Sequence, residues 1–284
     1  MTPPKSSSKW RRFFFVVSVY TLLALCFIFF LTPIVWGLFS SFHLIESLSP
    51  KRLIELIKPE NFTLEHYLYF LRDPNLLHYL KNSFLIAGLS SFCTVALASL
   101  GGYGLSRFVL PGREAILTTV FSSRMFPFVL ILIPVYFVFY GLRLVDTFLG
   151  VILAHIAISI PFTLWIAKAY FDKIPKELEE AALLDGCSRL GALWRVILPL
   201  AAPGIIVIAF YAFMISWGDY LMISLLASSS KVATLPFGLA ALKGRSEMWG
   251  AILAMTSFSV TPPILLFAFI NRWFITGLST GALK

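Results

Sequence analysis

Six long apolar runs alternate with polar connections along the chain: roughly Phe13–Phe39, Ser83–Leu105, Ala115–Tyr140, Thr147–Tyr170, Pro203–Ala227 and Trp249–Ile275. A helix crosses the ~30 Å hydrocarbon core of a bilayer with ~20 apolar residues at ~1.5 Å per residue. The pattern therefore predicts an all-α integral membrane protein with six transmembrane helices, one transmembrane domain over 1–284. Pro127 and Pro134 interrupt the third run and Pro161 the fourth. Proline removes a backbone donor and frees a carbonyl, so kinks are expected there, inside a bundle where neighbouring helices or water satisfy the freed groups.

Two polar connections are long enough to have structure. The first, 41–81, mixes Leu, Tyr and Phe with balanced charge. Ser49-Pro50 and Thr63 read as helix starts and Asp73-Pro74 as a stop, which predicts short helices lying on the outer face. The second is 172–202. There Pro175 suits the start of a helix, and Glu177, Glu179 and Glu180 favour its positive end. Asp185-Gly186 breaks that helix, glycine being able to take positive φ, and Ser188 caps a second one. Leu190, Leu193, Trp194 and Ile197 recur at i, i+3, i+4 and i+7, an apolar stripe, with Arg189 and Arg195 outside it. The loop reads as a helix–turn–helix with Ala181-Ala182 low enough for a partner to approach. An interfacial hairpin without a partner fits the same physics.

Composition supports lipid as solvent. Of 284 residues, 58% are hydrophobic and 13% charged, more apolar surface than a soluble domain of this size covers. The net charge of +9 reads as Lys and Arg flanking the spans rather than as a nucleic-acid surface. Lys5, Lys9, Arg11 and Arg12 precede the first run, which continues past signal-peptide length without a small-residue cleavage site, so a retained first helix is expected. Its basic flank places both termini in the cytoplasm. Cys26, Cys93 and Cys187 are scattered and imply no disulfide framework.

Glu180-Ala181-Ala182-x-x-Asp185-Gly186, followed after nine residues by Val196-x-Leu198-Pro199, resembles the EAA loop of binding-protein-dependent ABC importer permeases. Val196 stands where that family usually has Ile. The likeness extends to the second permease of carbohydrate importers of the maltose-transporter type, through Asn61-Phe-Thr-Leu-Glu-His-Tyr, Asn82-Ser83, Gly102-Tyr-Gly-Leu-Ser-Arg-Phe, Pro111-Gly112-Arg113, Met125-Phe-Pro, Asp146-Thr147, Thr234-Leu-Pro-Phe-Gly-Leu and Gly277-Leu-Ser-Thr-Gly-Ala-Leu-Lys284.

The resemblance implies that the loop is a coupling helix seated in a cytoplasmic ATPase, with Glu180, Ala181, Ala182, Asp185, Gly186, Leu198 and Pro199 as the coupling residues. It also implies a second homologous permease, two ATP-binding subunits that hold ATP and Mg²⁺, and an extracytoplasmic sugar-binding protein, all at the cytoplasmic membrane of a bacterium or archaeon. The cargo it implies is a di- or oligosaccharide of the maltose or trehalose type, with a polyol or glycerol phosphate as the alternative.

The absences agree with a transport subunit rather than an enzyme. The sequence has no Gly-x4-Gly-Lys-[Ser/Thr] run to cradle nucleotide phosphates, and His43, His66, His78 and His155 make no ligand-spaced metal cluster. His66 and His78 read as surface residues, and His155 as a hydrogen-bonded packing residue. Gly102-x-Gly104 in an apolar run reads as close helix packing. Arg124 lies near the middle of the third run, where a charge costs ~2.5–3.5 kcal/mol on insertion scales and must face the bundle interior or water. It is a candidate for the translocation path, with a fixed pair to Asp219 as the alternative. Trp217 and Tyr220 are candidates to stack on a sugar, or else packing residues. An ion-coupled secondary transporter is the competing class. It calls for several intramembrane carboxylates, and Asp219 is the acid available inside a run.

Overall fold

The computed structural model describes residues 7–43, 62–242 and 249–279. Among them the chain forms α1 (Ser7–Ser40), α2 (Glu65–Arg72), α3 (Pro74–Arg107), α4 (Arg113–Ser122), α5 (Phe128–Gly141), α6 (Phe148–Phe171), α7 (Lys176–Leu184), α8 (Arg189–Ala192), α9 (Leu198–Leu200), α10 (Ala202–Trp217), α11 (Leu221–Leu226), α12 (Leu235–Leu242) and α13 (Trp249–Ser279). Four helices are long and apolar enough to span a bilayer. Two more spans result if the bent pairs Arg113–Met125 with Phe128–Gly141 and Arg189–Leu200 with Ala202–Trp217 each cross once.

The chain divides into two compact units, Met1–Phe70 with Arg245–Phe258, and Leu71–Gly244 with Ser259–Lys284. In the first, Phe70 is buried and stacks on Phe258 at 4.4 Å between centroids, and the Tyr67 and Ser41 hydroxyls meet at 2.6 Å. His66 is half-buried rather than free on the surface: its Nε2 lies 3.1 Å from the His43 carbonyl oxygen, and the ring fills the space beside Gly250. Ser49-Pro50 falls outside the described residues. Thr63 starts a helix as expected, its Oγ1 accepting from the Glu65 amide at 3.0 Å.

The second unit is built on α3, α6 and α10. The buried face of α3 carries Ser83, Ala87, Ser91, Thr94, Ala98 and Gly102 at spacings of three or four, so small residues let the neighbouring helices approach closely. A Cβ at Gly102 would lie 2.6 Å from the Ala167 Cβ on α6, whereas Gly104 faces open space. Of the Gly102-x-Gly104 pair, then, one glycine packs.

Several boundaries differ from the apolar runs. Asp73 both ends α2 and caps α3, accepting from the Asn75 amide at 2.8 Å, so α3 begins nine residues before Ser83. The third run breaks by 105° between Met125 and Phe128. Pro127 sits at that break, while Pro134 and Pro161 are accommodated inside α5 and α6. The fifth run is not one helix: α10 ends at Trp217, and α11 starts after Gly218-Asp219-Tyr220. The carboxylate of Asp219 accepts from the Ile223 amide at 3.1 Å and the Met222 amide at 3.4 Å, which starts the new helix.

Candidate functional site

The 172–202 segment folds as its turn residues dictate. Pro175 flanks α7 at its start. At its end Gly186 adopts φ 87°, the Cys187 amide donates to the Ala182 carbonyl and the Gly186 amide to the Leu183 carbonyl, at 3.0 and 3.1 Å. This is the Schellman pattern, which a left-handed glycine makes possible. Ser188 caps α8 through the Gly191 amide at 3.1 Å.

Beyond α8, Leu193–Ile197 winds as a single π-helical turn. Leu193 and Ile197 are fully buried, in a cluster with Ala98, Tyr103, Phe171 and Ile208. Leu190 and Trp194 are exposed at 58% and 62%. Only half of the expected stripe therefore faces the bundle.

Glu179 was indistinguishable from its neighbours in sequence, yet it turns inward. Its Oε1 accepts from the Tyr103 hydroxyl at 2.5 Å and its Oε2 lies 2.8 Å from Arg107 Nε. Arg107 also donates from Nη2 to the Ile174 carbonyl at 2.9 Å. At the end of α6, Asp172 accepts from Ser106 Oγ at 2.7 Å and Lys168 Nζ at 2.8 Å. Burial alone would push the Asp172 carboxyl up. The hydrogen bonds from Lys168 and Ser106, with the charges of Lys168 and Arg113, outweigh it and hold the group below its usual range.

Anchored on α3 and α6 in this way, α7 exposes Glu180, Ala181, Leu184, Asp185 and Gly186, and buries Ala182. Leu184 is 89% exposed, an apolar side chain at the tip of the loop. Leu198 is partly buried and Pro199 exposed, on the approach to α10.

Among the polar residues of the apolar runs, His155 is the hydrogen-bonded packing residue expected, and the alternative pair of Arg124 with Asp219 does not form. Arg124 lies in a 3₁₀ turn, Ser123–Met125, at the break between α4 and α5. It donates from Nη2 to the Tyr211 hydroxyl at 2.6 Å. Asp219 is not its partner: its Oδ2 lies 3.3 Å from Nε2 of the fully buried His155, whose Nδ1 lies 2.8 Å from Ser216 Oγ. Trp217 is buried. Its ring stacks on Phe213 at 5.4 Å, and its Nε1 donates to the Ser259 carbonyl at 2.8 Å, whereas Tyr220 is 42% exposed.

Two short motifs singled out in the sequence, Asn82-Ser83 and Asp146-Thr147, clamp the segment that leads into a third. Asn82 Nδ2 donates to the carbonyls of Lys231 and Ala233 at 2.9 and 2.8 Å, and Ser83 Oγ accepts from the Leu235 amide at 2.8 Å. Asp146 receives the Ser229 amide and hydroxyl at 3.0 and 2.7 Å. Together they pin 229–235, where Thr234-Leu-Pro begins α12.

The family of binding-protein-dependent transport system inner membrane components matches residues 96–280. An inner membrane ABC transporter permease of Escherichia coli is 34% identical over 94% of this chain and 96% of its own length. The trehalose/maltose transport system permease of Thermococcus litoralis is 31% identical over 96% of this chain and 97% of its own. Among solved structures, a chain of a bacterial ABC transporter involved in import of the acidic polysaccharide alginate superposes with a TM-score of 0.77, at 23% identity, over 96% of this chain and 100% of that one.

Proposed function

The chain belongs to the family of binding-protein-dependent transport system inner membrane components, and from that premise we propose that it is one of two permeases of an ATP-driven importer for a carbohydrate. The anchored, outward-presented α7 is the observation that carries the coupling part of this reading. Its exposed edge from Glu180 to Gly186 is the docking surface for an ATP-binding subunit. Its buried edge ties it to α3 through Glu179, Tyr103 and Arg107.

A displacement of α7 then moves α3, α6 and α10 as a block rather than bending the loop, because their side chains share one buried cluster with Leu193 and Ile197. That block motion is the conformational half of an alternating-access cycle. ATP and Mg²⁺ are held by the two ATP-binding subunits, and a sugar-binding protein delivers the cargo on the opposite face. In this reading both termini face the cytoplasm, as α7 does. The sugar names of the relatives support a carbohydrate cargo.

Disulfide trapping tests the docking. A cysteine placed at Leu184 or Ala181 should cross-link to the ATP-binding subunit of the assembled complex. Cysteine at Lys176 should resist an impermeant reagent added outside intact cells. Labelling of Lys176→Cys from outside, or no cross-link from either α7 position in an assembled complex, contradicts the assignment.

A further inference from the structure

Resting on the carbohydrate reading above, we propose that Arg124 makes this permease selective for a sugar that bears an anionic group, a carboxylate, phosphate or sulfonate. Arg124 is charged at every physiological pH. Among the described residues its hydrogen bond is to the Tyr211 hydroxyl, and no carboxylate lies within ion-pair reach. Asp219, the acid in this part of the chain, is committed to His155 and to the start of α11. A guanidinium has five N–H donors in a planar fork that matches a carboxylate or phosphate, and the neutral Tyr211 phenol cancels none of its charge.

The charge opens on a cavity. A volume of about 260 Å³ is lined by Arg124, Phe126, Phe128, Phe139, Ala157 and Met222, among others, close to the lower end of the ~300–1,000 Å³ usual for small-molecule sites. The phenylalanine rings offer faces for the apolar face of a sugar ring. The apolar walls lower the local dielectric, which strengthens a charge-assisted bond to the one cation at the rim.

A neutral sugar hydroxyl accepts from a guanidinium as well, but only an anionic group adds the charge-assisted, bidentate bond and offsets the charge.

The test is uptake by the whole importer in proteoliposomes with its binding protein. The probes are neutral disaccharides and matched disaccharides carrying a uronate carboxylate, a phosphate or a sulfonate. Wild type is expected to carry at least one anionic member. Arg124→Gln should lower that uptake tenfold or more while the complex assembles and melts as wild type does, and Arg124→Lys should retain part of it. The proposal is overturned if wild type carries neutral sugars alone, or if Arg124→Gln carries the anionic sugar normally. It is also overturned if Arg124→Gln disassembles the complex, which would assign the charge to a carboxylate of the second permease. Carriage of none of the sugars overturns the carbohydrate reading itself.

Discussion

Arg107 Nε and Glu179 Oε2 face each other at 2.8 Å, with side chains only 3% and 7% exposed. The pair joins the end of α3 to the middle of α7, and the next residue along, Glu180, is exposed. Two adjacent glutamates thus differ: Glu179 holds the loop, and Glu180 stands on the exposed edge where we propose that an ATP-binding subunit docks.

That division predicts opposite phenotypes. Glu179→Ala leaves Arg107 buried without its counter-charge, a change that costs about 3–5 kcal/mol in comparable buried pairs. The bond from Arg107 to the Ile174 carbonyl places the loss toward the lower figure. Glu180→Ala, like other exposed substitutions, should alter stability by no more than ~0.5 kcal/mol, yet lower transport-coupled ATP hydrolysis. Thermal melting and ATPase assays on the purified complex separate the two. Equal melting temperatures for both variants would remove Glu179 from the anchoring role.

Double-mutant cycles test the intramembrane partners. His155 and Asp219 touch, so His155→Gln and Asp219→Asn should couple by about 0.5–3 kcal/mol. Arg124 and Asp219 have separate partners, so Arg124→Met and Asp219→Asn should be additive within ~0.5 kcal/mol. Rescue of Arg124→Met by Asp219→Asn would restore the fixed pair that the sequence left open.

Asp172 gives a pH signature. Its carboxyl is held below the usual range, so the folded protein binds fewer protons there than the unfolded chain does. The resulting stabilisation is complete above the unfolded value of ~3.9 and is lost as pH falls through the folded value. With the side chain 42% exposed, the effect is small in size but fixed in sign. The gap in melting temperature between wild type and Asp172→Asn should be constant above pH ~5 and shrink below ~4. A gap that widens in acid would contradict the assignment.

Much of this architecture is legible in the sequence because its signals are local. Length and apolarity mark the spans, and the Pro175, Gly186 and Ser188 signals in 172–202 give the helix–turn–helix with its capped ends. What is not legible depends on residues far apart in the chain. Which of Glu177, Glu179 and Glu180 turns inward is decided by Tyr103 and Arg107 on α3. The break after Trp217 is hidden because an apolar window averages over Gly218-Asp219, although an acid followed by an apolar run is itself a capping signal. Nothing local in either run shows that Tyr211 stands beside Arg124 and His155 beside Asp219.

The central claim is that α7 transmits ATP-driven motion to a sugar-conducting bundle. Its most direct test is uptake of a sugar into proteoliposomes holding the complete importer and its binding protein, with ATP or ADP supplied on the α7 side. The account predicts uptake that requires ATP, requires the binding protein, and falls at least tenfold with Glu180→Lys in an assembled complex. Uptake that proceeds with ADP under an imposed ion gradient, unaffected by Glu180→Lys, would contradict it.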